Sequence, residues 1–197
     1  MRIAVIGTGR VGTALGKGWA AAGHTVVFGS RRPAQVDCAV GSADSVAGAA
    51  HRSEVVVLAV PFGAAAEAVT AAGNLDGKVV VDATNPIGAA IPPPHRSGAE
   101  RLAATVPGAR VVKAFNTMGF EVMADPVVEG RPALLLYCGD DAGAKEAVDR
   151  LARDLGFDPV DAGPLSAARL LEGLAELWVH LALHHLGRGF TFALLRR

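Results

Sequence analysis

The stretch Ile3-Ala4-Val5-Ile6-Gly7-Thr8-Gly9-Arg10-Val11-Gly12 decides how the rest of the chain is read. Four apolar residues without polar alternation suit a strand covered on both faces. The next six residues spell G-x-G-x-x-G and lead into a helical pattern. Val11, Ala14, Leu15, Trp19 and Ala22 mark one face of that helix, and Gly23 is its stop. Placed between a buried strand and a helix, the glycine triplet predicts a dinucleotide-binding turn. Gly7 allows the tight turn, Gly9 lets backbone approach a pyrophosphate, and Gly12 lets helix and strand pack closely. Free N–H groups at the helix N-terminus would face the phosphates.

Outward from this unit, short apolar runs alternate with helical stretches. The runs are Thr25-Phe28, Val55-Val60, Val79-Val81, Val111-Phe115, Leu134-Tyr137 and Pro159-Asp161. Ser97-Gly98-Ala99-Glu100 reads as a capping box, and Asp140 or Asp141 as the cap of a helix ending at Gly156. The order predicts an α/β fold, a Rossmann-type doubly wound parallel sheet with a C-terminal helical segment. Residues 1–164 form the nucleotide-binding domain, and residues 165–197 a packing segment rather than an independent domain. One crossover is short: from Ser30 to a possible strand at Cys38-Val40 there is no room for a helix, so that sheet edge is trimmed or irregular. From Ser166 to about Leu186 the pattern is helical. Leu170, Leu171, Leu174, Leu177, Trp178 and Leu181 form a stripe, and Val179, Leu183 and Leu186 add apolar surface outside it. A helix apolar nearly all round is buried, and in a domain of this size a homodimer interface is the natural place.

Composition narrows the partners. The 197 residues carry 19 Lys+Arg against 19 Asp+Glu, a formal net charge of zero, and aromatics are 5%. Neither a broad basic face nor stacking platforms for nucleic acid follow from that. No apolar run reaches the ~18 residues of a membrane span, and no signal-peptide pattern opens the chain. Two cysteines far apart suggest no disulfide framework, so the cytoplasm is the expected compartment.

The end of the second strand discriminates between dinucleotides. An acidic residue there would bond the ribose 2′-hydroxyl of NAD. Here the sequence is Phe28-Gly29-Ser30-Arg31-Arg32. Two guanidinium forks and a hydroxyl suit the 2′-phosphate of NADP. Three more loops belong to the same crevice, because ligands bind beyond the carboxyl ends of parallel strands. They are Val60-Pro61-Phe62, Thr84-Asn85-Pro86 and Phe115-Asn116-Thr117-Met118-Gly119. Val60, Pro61 and Met118 would wall a nicotinamide, and Asn85, Asn116 and Thr117 would hydrogen-bond its amide or ribose.

These motifs resemble the coenzyme F420-dependent NADP oxidoreductase family, in particular its short bacterial members. They are also similar to the oxidoreductase domain of metalloreductases that carry a transmembrane haem domain. The resemblance rests on the glycine-rich turn, Gly29-Ser30-Arg31-Arg32, Leu58-Ala59-Val60-Pro61 and Asp82-Ala83-Thr84-Asn85-Pro86. It extends through Val112-Lys113-Ala114-Phe115-Asn116-Thr117, Asp161-Ala162-Gly163-Pro164-Leu165 and Ala168-Arg169-Leu170-Leu171-Glu172. It implies direct hydride transfer between nicotinamide C4 and C5 of a deazaflavin, coenzyme F420, with no side-chain nucleophile. Asn116 and Thr117 would position the rings, and Thr8, Gly9, Arg10, Val11, Ser30, Arg31 and Val60 would contact NADP. The loop from Asn116 to Phe120 would face both rings, and the C-terminal segment would build a homodimer and close the F420 pocket. The sequence departs from the family pattern after Arg32, where Pro33, Ala34 and Gln35 replace a basic residue. It also has Asn116 where archaeal members have His, and Gly173 where related short members tend to have Pro.

Two other readings stand beside this one: an NADPH-dependent reductase of a flavin or other small acceptor, and a non-catalytic NADP-binding redox sensor. His180 and His184, four residues apart, could chelate a metal, but no third ligand or H-E-x-x-H pattern accompanies them, so no metal site is expected.

Overall fold

The computed structural model describes residues 1–37 and 40–195. Among the described residues ten strands are formed: β1 Arg2–Ile6, β2 Thr25–Gly29, β3 Ser42–Asp44, β4 Val55–Leu58, β5 Val79–Asp82, β6 Arg110–Lys113, β7 Val127–Val128, β8 Arg131–Pro132, β9 Leu134–Gly139 and β10 Asp158–Asp161. The helices are α1 Arg10–Ala21, α2 Val46–His51, α3 Ala65–Ala72, α4 Gly98–Thr105, α5 Phe120–Ala124, α6 Ala142–Leu155 and α7 Ala168–Leu181.

Eight strands make one sheet in the order β10-β9-β6-β5-β4-β1-β2-β3. Six of them follow the Rossmann order 3-2-1-4-5-6, all parallel. Every residue of β4 and β5 is buried, as expected for strands covered on both faces. Side chains of α1, α5 and α6 close one face of the sheet. Those of α2, α3, α4 and α7 close the other. Trp19 fastens α1 to α6, its Nε1–H donating to Leu151 O at 3.0 Å.

The structure corrects several sequence expectations. The sheet is not wholly parallel: β9 runs antiparallel to β6, paired only through Val112–Gly139 and Lys113–Cys138. The chain leaving β6 spends its residues at the carboxyl edge on α5 and the β7–β8 hairpin, so it never crosses back before entering β9. The edge strand lies at Ser42–Asp44, pairs parallel with β2, and is reached through a single 3-10 turn at Pro33–Gln35. Val40 precedes it in a bend, and Cys38 and Ala39 fall outside the described residues. β6 ends at Lys113 rather than Phe115, because Phe115 turns left-handed with φ 59°. Ala22 lies beyond α1 and is exposed. Only one face of α7, Ala168, Leu171, Glu172, Ala175 and Trp178, is buried. Leu170, Leu177, Leu183 and Leu186 are exposed, so the apolar stripe is split between an inner and an outer face. Among the described residues no helix is long and apolar enough to cross a membrane.

Candidate functional site

The strand order reverses between β1 and β4, and a crevice opens there beyond their carboxyl ends. It holds a cavity of about 380 Å³ lined by Gly9, Arg10, Val11, Ala59, Val60, Pro61, Ala83, Phe120 and Arg188. The glycine turn is shaped for close approach. Gly7 sits at φ 110°, and a side chain on it would collide with Ala59 O. One on Gly12 would collide with Gly7 O, whereas the space over Gly9 is open for 4 Å. Tight packing at the first and third glycines and free space at the second form a cradle suited to a pyrophosphate. Gly9 caps α1 with backbone alone, and Thr13 N–H donates to Gly9 O at 2.9 Å as the helix begins. The positive end of α1 and the Arg10 guanidinium therefore face the same space.

At the end of β2, Ser30 N–H donates to Asp44 O at 3.0 Å, and Ser30 Oγ accepts from Arg32 N–H at 3.1 Å. Arg31 is 85% exposed and comes no closer than 3.9 Å to Glu67. The Arg31 and Arg32 forks thus stand in solvent beyond β2, outside the cavity lining, and among the described residues they have no strong partner to give up.

Beyond β5 and β6 two loops are tied together. Asn85 Nδ2–H donates to Asn116 O at 2.7 Å, and Asn116 Nδ2–H donates to Asn85 Oδ1 at 2.9 Å. Those bonds leave Asn116 Oδ1 buried without a partner. Such an acceptor is costly to leave unmatched, and it suits an amide N–H₂ such as that of a nicotinamide carboxamide. Phe115 anchors this loop. Its left-handed backbone costs about 1–3 kcal/mol. Burial of the ring offsets that by roughly 1.5–3 kcal/mol, and its edge contacts with Trp19 at 5.5 Å and Phe157 at 6.0 Å add to the gain. Thr117 and Pro86 are buried beside the tied loops, and Met118 lies in the core with Trp19 rather than on the cavity wall.

Beneath the loops lies a fully buried charge network. Lys113 Nζ donates to Asp82 Oδ2 at 3.0 Å and to Thr84 O, and pairs with Glu172 Oε1 at 3.2 Å. Asp82 Oδ1 accepts from Thr84 N–H at 2.9 Å and Thr84 Oγ1–H at 2.7 Å. Glu172 also accepts from Gly98 N–H at 2.9 Å and Ala99 N–H at 3.2 Å, the first turn of α4. The carboxyl ends of β5 and β6 and helix α7 are joined at one ammonium group, and Glu172 extends the network to the first turn of α4.

The outer wall is Phe120. Arg10 and Arg188 each lie over its ring, at 5.2 and 5.3 Å from the centroid. Arg188 Nε–H donates to Glu121 Oε1 at 2.7 Å. Partial burial pushes the Glu121 carboxyl upward, but the Arg188 hydrogen bond, a backbone bond and the charges of Arg188 and Arg10 outweigh it, leaving it below the usual carboxylate range.

The sequence profile described as NADP oxidoreductase, coenzyme F420-dependent, matches residues 2–86. The F420-dependent NADP reductase of Methanothermobacter thermautotrophicus is 32% identical over 209 aligned positions, covering 92% of this chain and 89% of that protein. The chain belongs to the F420-dependent NADP oxidoreductase family. The structure of a candidate F420-dependent NADP reductase from Arthrobacter sp. FB24 superposes over the whole of both chains with a TM-score of 0.89 at 33% identity. The rat metalloreductase STEAP3 is 33% identical over 177 positions, 88% of this chain but 36% of its own length. The chain thus spans about a third of that relative. Its class is that of an NADP-dependent oxidoreductase.

Against this family background, the glycine turn, Val60, Pro61 and Phe120 converge on the cavity, while Ser30 and the two arginines lie beyond β2, outside its lining. Asn85, Pro86, Asn116 and Thr117 form the loop layer beside it. Sequence reading missed Arg188, Glu121 and the Lys113–Asp82–Glu172 network. A charged residue closing an apolar run, as in Val79-Val80-Val81-Asp82 and Val111-Val112-Lys113, was the available signal for the network. His180, His184 and His185 cluster with ring centroids 5.0 to 6.4 Å apart. No group of three or more metal-ligating side chains among the described residues is arranged to hold an ion.

Proposed function

We propose that this oxidoreductase transfers hydride between NADP(H) and a deazaflavin of the coenzyme F420 type. The observation that carries the reading is the cavity at the topological switch point, with a phosphate cradle on one side and the flat wall of Val60, Pro61 and Phe120 on the other. Gly9 and Arg10 would hold the pyrophosphate, Ser30, Arg31 and Arg32 the 2′-phosphate, and Asn116 Oδ1 the carboxamide. The nicotinamide supplies the hydride from C4. The chain's own residues bind, orient and exclude water, which is sufficient for transfer between two aligned rings. A hydride and a proton would pass between NADPH and the acceptor, a balanced two-electron exchange that can run in either direction.

Residues 1–164 serve as the NADP-binding part and residues 165–197 as a packing segment, helical as far as Leu186. The outer leucines of that segment support a homodimer through α7. The similarity to a metalloreductase supports a second reading, in which the acceptor is a flavin or another small oxidant. An anaerobic assay decides: NADPH bleaches the visible band of F420 under the first reading, whereas turnover with FMN and none with F420 supports the second.

A further inference from the structure

The C-terminal segment sends a cation into the cavity that the nucleotide-binding residues do not explain. After α7 and a π-helical turn at Ala182–Leu186, the chain reverses at Gly187, whose φ is 68°. Trp178 Nε1–H then donates to Phe190 O at 3.1 Å, and the Trp178 and Phe190 rings stack at 5.3 Å. Between those fixed points Arg188 is held on three sides, by Glu121 and by the rings of Phe120 and Trp178, the latter at 5.3 Å. Its side chain is still 45% exposed, and it lines the cavity.

Two features suit this wall to an anion. Arg10 and Arg188 share the Phe120 ring, and Glu121 forms its ion pair with Arg188, so these three groups leave an excess positive charge at the wall. Only Nε of Arg188 is engaged: among the described residues both Nη groups lack a hydrogen-bond partner. A guanidinium oriented through Nε and two rings, with its fork free, is preorganised for a phosphate or carboxylate. Arg10 stands at the first turn of α1, beside the pyrophosphate cradle. Arg188 arrives from the opposite end of the chain and meets the same Phe120 ring.

We infer that Arg188 is a recognition residue for the second substrate, receiving a phosphate or carboxylate group attached to the ring that exchanges hydride. This rests on the proposed hydride transfer to a flat-ring acceptor, and it adds that the acceptor is anionic and that its charge is read by the C-terminal segment. Glu121 acts as a positioning residue, holding the guanidinium at the cavity wall.

The test is binding of matched rings to the full-length, NADP⁺-loaded protein, read by fluorescence titration: FMN against riboflavin, and F420 against its chromophore lacking the phosphate-linked tail. In wild type the anionic member of each pair binds at least about ten-fold tighter, and the gap narrows in high salt. Arg188→Gln removes that gap and Arg188→Lys keeps part of it, while the dissociation constant for NADPH moves less than about two-fold. Equal affinity of charged and neutral rings in wild type, or no binding of either, overturns the inference without any variant. A loss of NADPH affinity in Arg188→Gln instead assigns the residue to the nucleotide and also overturns it. Rings that bind with the expected charge preference but accept no hydride refute the proposed reaction and leave the recognition role standing.

Discussion

Replacing Lys113 by methionine removes the single cation that two buried carboxylates share. Lys113 and Asp82 are wholly buried, and the Glu172 side chain is 7% exposed. Methionine fills much of the same volume, so packing loss is a minor part of the effect. The major part is electrostatic. Removing one partner of a buried pair costs about 3–5 kcal/mol, because the remaining charge is stranded. In a chain of 197 residues each kcal/mol shifts the melting temperature by about 2–4 °C, so a fall of about 6–20 °C is expected. The backbone bonds to Asp82 and Glu172 temper the loss toward the lower half of that range. Circular dichroism melts of wild type and Lys113→Met measure it. Adding Asp82→Asn and Glu172→Gln removes the stranded charges, and the triple variant recovers at least half of the lost stability. A single variant within about 1 kcal/mol of wild type, or a triple variant no better than the single, refutes the view that the three charges form one buried unit.

Arg31→Ala with Arg32→Ala weakens NADPH binding by about 10–100-fold, less than two fully desolvated charge-assisted contacts would give, because both side chains are solvated. NADH binding barely changes, and equal losses for both cofactors by fluorescence titration remove the 2′-phosphate assignment. Leu170→Asp with Leu177→Asp, on the exposed face of α7, yields a folded monomer by light scattering, whereas a wild type that is already monomeric removes the interface. Cys138 is buried and its thiol is pushed up to about 12, chiefly by burial. A raised pKa keeps it neutral, so in a Cys38→Ser variant it fails to react with a disulfide reagent at pH 8 until the protein is denatured; prompt reaction in the native state contradicts that burial.

The part of this molecule written in local patterns was readable before any coordinates. β1, the glycine turn and α1 obey rules of period and turn chemistry that act within a few residues. The caps at Ser97 and Asp141 also follow such rules: each accepts an N–H from the first turn of its helix, at 3.1 and 2.7 Å. The antiparallel β9 was not readable, because direction depends on where the connecting residues are spent, and α5 with the β7–β8 hairpin lacked a strong pattern. The C-terminal leucine stripe was legible as apolar but not as divided, since only the docking of α7 decides which side faces the sheet. Glu172 shows this most clearly: nothing in its local pattern gives it a partner, yet it is buried against Lys113 and the start of α4. Arg188 depends on a chain reversal at Gly187 and on Trp178 and Glu121, contacts between segments distant in sequence.

The reaction itself is tested most directly by mixing the protein anaerobically with NADPH and F420. Bleaching of the visible F420 band in step with NADPH oxidation, accelerated in proportion to protein concentration, is the expected result. An unchanged band in the presence of protein that binds NADPH tightly contradicts hydride transfer to the deazaflavin.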